Sequence, residues 1–138
     1  MKVTLKHVEN MQFKASTESG HDITLDASPD HGGENAGARP METVLVGLGG
    51  CSAIDVMLIL KKSRQQVTDC EIEIQAERAD AIPAVFSKIH VSFILTGDNL
   101  DSKKVNRAVA LSMEKYCSVT RMLEKTADMT FDARIQQG

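Results

Sequence analysis

One apolar run, Val44 to Leu60, constrains this chain more than any other feature, because its Val, Leu, Ile, Met and Cys residues cover more than one helical face. Breadth of that kind predicts a helix from about Met41 to Lys62, buried nearly all round. Pro40 suits its first turn, Glu42 stands where an acid favours the N-terminal dipole, and Lys61-Lys62 with Arg64 form a solvated, positive C-terminal end. Three glycines, a serine and Asp55 interrupt the run, so it is expected to fall short of a membrane span and to form a core helix. Gly47, Gly49 and Gly50 should each cost roughly 0.5–1 kcal/mol of helix stability relative to alanine. Close approach of another helix or of a ligand is the usual compensation.

The segments around this helix alternate. Residues 2 to 26 read as three short strands with breaks at Glu9-Asn10 and Ser19-Gly20, an antiparallel meander. Ala27 to Pro40 is rich in Ser, Asp, Gly and Asn, a loop long enough to carry function. Val67 to Arg78 sets Cys70, Ile72, Ile74 and Ala76 against Glu71, Glu73, Gln75 and Glu77, and a second long strand ends at Thr96 before Gly97-Asp98-Asn99. A second helix is predicted from Asp101 or Ser102 through Tyr116, resuming from Met122 to Lys125. Thr130 to Ile135 makes a last strand. No repeat or linker divides the chain, so residues 1–138 read as a single domain.

Composition removes several classes of function. The 16 basic and 19 acidic residues of the 138 give a net charge of −3 with no basic block, which argues against nucleic acid as a partner. Aromatic residues are only 4% of the chain, so aliphatic side chains and the seven Met must fill the core. Three Cys are too few for a stapled secreted scaffold. The N-terminus lacks the apolar stretch of a secretory signal, and a cytoplasmic location without membrane attachment is expected.

The cysteines divide in two. Cys70 reads as strand packing, since a free Cys behaves as a small hydrophobe. Cys51 follows Gly49-Gly50, which strip side chains from its surroundings, and Cys117 is bracketed by Lys115 and Arg121. Reactive thiols need nearby cations or hydrogen-bond donors and access to their target. On a continuous helix Arg121 would share a face with Cys117, as Asp55 would with Cys51. A bare carboxylate beside a thiol raises its pKa, so Asp55 must be paired, turned away or acting as an orienting base. His7, His21, His31 and His90 are scattered without metal-ligand spacing to any Cys, so no metal site is expected. Tyr116, the only Tyr, reads as a hydrogen-bond donor near Cys117 or as core.

Pro40-Met41-Glu42-Thr43-Val44-Leu45 followed by Gly49-Gly50-Cys51, with a second Cys in Glu114-Lys115-Tyr116-Cys117-Ser118-Val119, resembles the OsmC/Ohr family of osmotically inducible and organic hydroperoxide resistance proteins. The likeness is strongest to a bacterial branch carrying a Cys-Ser-Ala-Ile-Asp-Val-like sequence, and it covers most of the chain. It implies an α+β fold with antiparallel sheets around two long central helices, in an intertwined homodimer with active sites near the subunit interface. It also implies a thiol peroxidase for small organic hydroperoxides, with hydrogen peroxide as a second candidate, without metal, haem or flavin. Cys51 would become a sulfenic acid, Cys117 would close a disulfide on it, and an external dithiol such as a lipoyl group, or a small thiol, would restore both.

Two departures stand out. The better-studied peroxidases of the family pair an early-strand Arg with a Glu directly after the Pro. Here residues 2 to 26 hold no Arg, and Met41 follows Pro40 with Glu42 one place later. Nine residues before Cys51, Glu42 would lie on roughly the opposite side of a continuous helix. Arg39 or Arg121 is left as the candidate cation. The competing reading is a redox-sensing or small-molecule-binding protein that keeps the paired cysteines but turns over little.

Overall fold

Alternation in the first 26 residues folds as expected into a meander. In the computed structural model, which describes all 138 residues, β1 (Val3–Glu9) pairs antiparallel with β2 (Gln12–Thr17), and β2 with β3 (Asp22–Leu25). The chain divides into two compact units, Met1–Val46 and Gly47–Gly138, the division falling inside helix α1 (Pro40–Lys62).

In the first unit the loop after β3 is organised by one buried carboxylate. Asp26 accepts backbone N–H bonds from Ala27 at 2.7 Å and from Glu34 and Ala36 at 3.0 Å each. Those donors, Ala36 and Glu34 foremost, hold its pKa below the usual 3.8. The chain closes so tightly here that a Cβ on Gly33 would stand 1.8 Å from the Ala27 carbonyl oxygen. Only glycine fits.

The second unit is built on a three-stranded sheet in the order β4 (Val67–Arg78), β5 (Phe86–Gly97), β6 (Asp128–Gln137). β4 and β5 form a long antiparallel pair, whereas β6 runs parallel to β5. A parallel neighbour needs a crossover, and the helical segments between residues 102 and 123 supply it. β5 is central, and its inward row of Ile89, Val91, Phe93 and Leu95 is wholly buried. With so few aromatics, Phe93 is the bulkiest fully buried side chain.

Two expectations are corrected. The chain by itself buries only one stripe of α1, Leu48, Ser52, Val56 and Leu60, a row at spacing four, while Val46 and Ile54 stand 69% and 63% exposed. Gly49 alone of the three glycines is closely approached, with its would-be Cβ 3.2 Å from Ile74 Cδ1 of β4; Gly47 and Gly50 face open space. By length and composition alone α1 is also long and apolar enough to cross a membrane. Core helices of soluble proteins can be equally long and apolar, and α1 carries Asp55 and a buried serine contact within that length.

The second long helix is also not continuous. It runs as α2 (Ser102–Leu111), passes through a π-turn over Ser112–Tyr116, breaks at Cys117 and restarts as α3 (Ser118–Leu123). Asp101 starts α2 by accepting the Lys103 N–H at 2.9 Å, an N-cap bond. The break makes Cys117 the N-cap of α3 rather than a mid-helix residue, so the continuous helix on which Arg121 would share its face is not formed.

Candidate active site

Two cysteines 66 positions apart in sequence meet in the second unit. The sulfurs of Cys51 and Cys117 and a carboxylate oxygen of Asp55 all lie within 4.8 Å of one another. α1 supplies Cys51 and, one turn on, Asp55, which the α-helical repeat places on the same face. The broken helix supplies Cys117. Both thiols and that of Cys70 are free.

The π-turn sets the position of Cys117. Its backbone N–H bonds the Ser112 carbonyl at 2.8 Å, the five-residue step of a π-turn, and its backbone is extended, with φ −72° and ψ 108°. One added residue in a helix rotates the downstream residues by about 100°, and such bulges recur at functional sites. Cys117 then caps α3, its Sγ accepting the Thr120 N–H at 3.4 Å. It is 2% exposed. Burial pushes its thiol pKa above 9.0, the Thr120 hydrogen bonds offset part of that rise, and neighbouring Cys51 adds to it.

Ser112 ties the two helical segments together. Its buried hydroxyl donates to the Ser52 carbonyl at 3.1 Å and to Asp55 Oδ2 at 3.3 Å, one proton shared between two acceptors. Asp55 is thus held by a serine hydroxyl rather than by an arginine. Ser112 carried no sequence signal, since the chemistry is in the pairing with Ser52 and Asp55 across about 60 positions.

The other candidates have local employment. In the first unit Glu42 Oε1 accepts the Arg39 backbone N–H at 2.8 Å, the back half of a capping box that starts α1. The Arg39 guanidinium donates to the Gly37 carbonyl and to Asn35 Oδ1, each at 3.0 Å. In the second unit Arg121 pairs with Glu124 at 3.6 Å, both partly exposed. Tyr116 is half exposed beneath the Lys115 ammonium, 5.2 Å from its ring centre. His90 sits between Thr130 and Asp132 on the outer sheet face. Cys70 is half-buried, its thiol pKa raised first by burial, and it lines an apolar cavity of about 660 Å³ with Ile54, Met57 and Val67.

A second cleft, of about 610 Å³, reaches Asp55. Its lining combines apolar Leu58, Ile59 and Leu111 with cationic Lys62, Lys104 and Arg107.

Comparison with known proteins places this arrangement. Residues 32–132 match the family described as OsmC-like protein. Protein YhfA of Escherichia coli strain K12 is 47% identical over 130 residues, 94% of each chain. A solved protein of Aquifex aeolicus VF5 is 32% identical with a TM-score of 0.87, covering 99% of this chain and 96% of its own. The organic hydroperoxide resistance protein OhrB of Bacillus subtilis shares the fold at 20% identity, with a TM-score of 0.64 and 96% of both chains covered. The mixed α+β architecture with its two sheets, and the match across both cysteine segments, lead to one conclusion: this chain belongs to the OsmC-like protein family.

Proposed function

We propose that the protein is a thiol peroxidase for small organic hydroperoxides. The observation that carries this reading is the meeting of two free thiols, Cys51 and Cys117, on separate helical segments within 4.8 Å. Their surroundings differ in a way that supports different roles. Cys117 is buried with a raised pKa and so holds its proton at neutral pH, which makes it a poor first attacker. Cys51 is partly exposed beside Gly50, whose missing side chain leaves open space.

The Cys51 thiolate attacks the distal O–O oxygen, the alkoxide leaves and takes up a proton as the alcohol, and Cys51 becomes a sulfenic acid. The Cys117 sulfur then displaces that oxygen as water and forms the disulfide, its thiol proton going to the leaving hydroxide. Closure needs the sulfurs to move to about 2.05 Å, a side-chain adjustment. Two thiols of an external dithiol return the electrons. Sulfur is itself the redox centre, so the cycle calls on no resident cofactor.

The exposed apolar residues of α1 are the face we assign to a second copy in a homodimer, and the cytoplasm is where a dithiol-dependent cycle runs. Steady-state consumption of cumene hydroperoxide with a lipoyl dithiol tests the reading. Turnover that vanishes in Cys51→Ser supports it. Slow disulfide formation without recycling would instead favour redox sensing, a reading supported by the local engagement of Arg39 and Arg121.

A further inference from the structure

The same three side chains have a second chemistry. Tetrahedral zinc holds thiolate at about 2.3 Å and carboxylate at about 2.0–2.2 Å, which requires ligand atoms roughly 3.5–3.8 Å apart. Cys51 Sγ, Cys117 Sγ and the Asp55 oxygen, all within 4.8 Å of each other, are within reach of that triangle by small side-chain rotations. Two soft thiolates and one carboxylate select zinc over magnesium or calcium, which favour all-oxygen sets. A metal-bound carboxylate is ordinarily fixed by an outer hydrogen bond, and Asp55 already accepts one from buried Ser112. Cys51 is partly exposed, which leaves the ion a way to the cluster. The sequence conceals this set because its third ligand is an aspartate one helical turn from Cys51, where a search for His and Cys spacing finds nothing.

We infer that, in the reduced protein, Cys51, Cys117 and Asp55 form a zinc site with its fourth position open to solvent. Binding displaces the thiol protons and engages the sulfur electron pairs that a nucleophilic attack would use. The ion is thus a reversible mask on the cysteine pair, distinct from a cofactor of its oxidation. Ligation itself does not rest on the peroxidase reading, and it is tested without peroxide.

Reduced, metal-stripped protein is titrated anaerobically with zinc against a chromophoric chelator, and iodoacetamide labelling of each cysteine is then mapped by mass spectrometry with and without zinc. One zinc per chain is expected, with slowed alkylation of Cys51 and Cys117 and unchanged alkylation of Cys70. Asp55→Asn should weaken binding by at least about 10-fold, the lower end of what loss of an outer-shell partner costs, and each of Cys51→Ser and Cys117→Ser by at least as much, whereas Cys70→Ser should bind as wild type. Cobalt on the wild-type protein should give a thiolate charge-transfer band. Unprotected Cys51 and Cys117 in zinc-treated wild type, a missing cobalt band, or wild-type affinity in Asp55→Asn would each overturn the site.

Discussion

Ser112 and Asp26 show how much a single polar side chain decides here. The Ser112 hydroxyl is fully buried and is a donor to both the α1 backbone and Asp55. Ser112→Ala should therefore destabilise the protein by about 1 kcal/mol in chemical denaturation and slow the reaction of the cysteine pair by releasing Asp55. Asp26 works through backbone donors, and its folded pKa lies below 3.8. A carboxyl depressed on folding contributes stability that is present above its unfolded pKa and is lost as pH falls through the folded value. Asp26→Asn should accordingly melt at a lower temperature than wild type near neutrality, with the gap narrowing as pH falls below 3.8. Thermal melts at several pH values read that directly, and a gap independent of pH would contradict the role of the charge. Neither serine nor aspartate was legible as a contact from sequence, because each is paired with groups fixed only by folding.

At the level of elements, strands and helices followed their periodicities closely. The 12-residue alternations of β4 and β5 and the apolar run of α1 are local signals, and they folded where they pointed. The π-turn is different. Ser112–Tyr116 continues a helical pattern, and its five-residue hydrogen bond occurs where Ser112 packs on Ser52 and Cys117 lies beside Cys51. Deleting exposed Glu114 should convert the turn to ordinary helix and rotate Cys117 away. Circular dichroism should then remain helical while peroxide-dependent disulfide formation falls sharply; an unaffected disulfide yield would mean the turn does not place the thiol. Phe93→Ala on β5 should cost about 3–5 kcal/mol, since it empties the bulkiest buried position of the sheet.

For the whole molecule, family membership was readable as a resemblance carried by two short motifs, the fold agrees with its relatives, and the thiols of those two motifs lie close together. The activating groups were less legible. Arg39 and Glu42 looked like candidates by type, yet Glu42 caps a helix and Arg39 closes a loop, roles that depend on which atoms come to lie nearby. The apolar face of α1 bears on assembly: sedimentation should find dimers at micromolar concentration, and Ile54→Lys should shift them toward monomers, whereas a monomeric wild type would remove the assigned interface. The central claim is that Cys51 attacks and Cys117 resolves. Intact-mass spectrometry after one equivalent of cumene hydroperoxide tests it most directly. The expected result is loss of two hydrogens in wild type, a trapped sulfenic acid on Cys51 in Cys117→Ser, and no change in Cys51→Ser. Oxidation of Cys117 in Cys51→Ser, or thiols intact throughout, would contradict it.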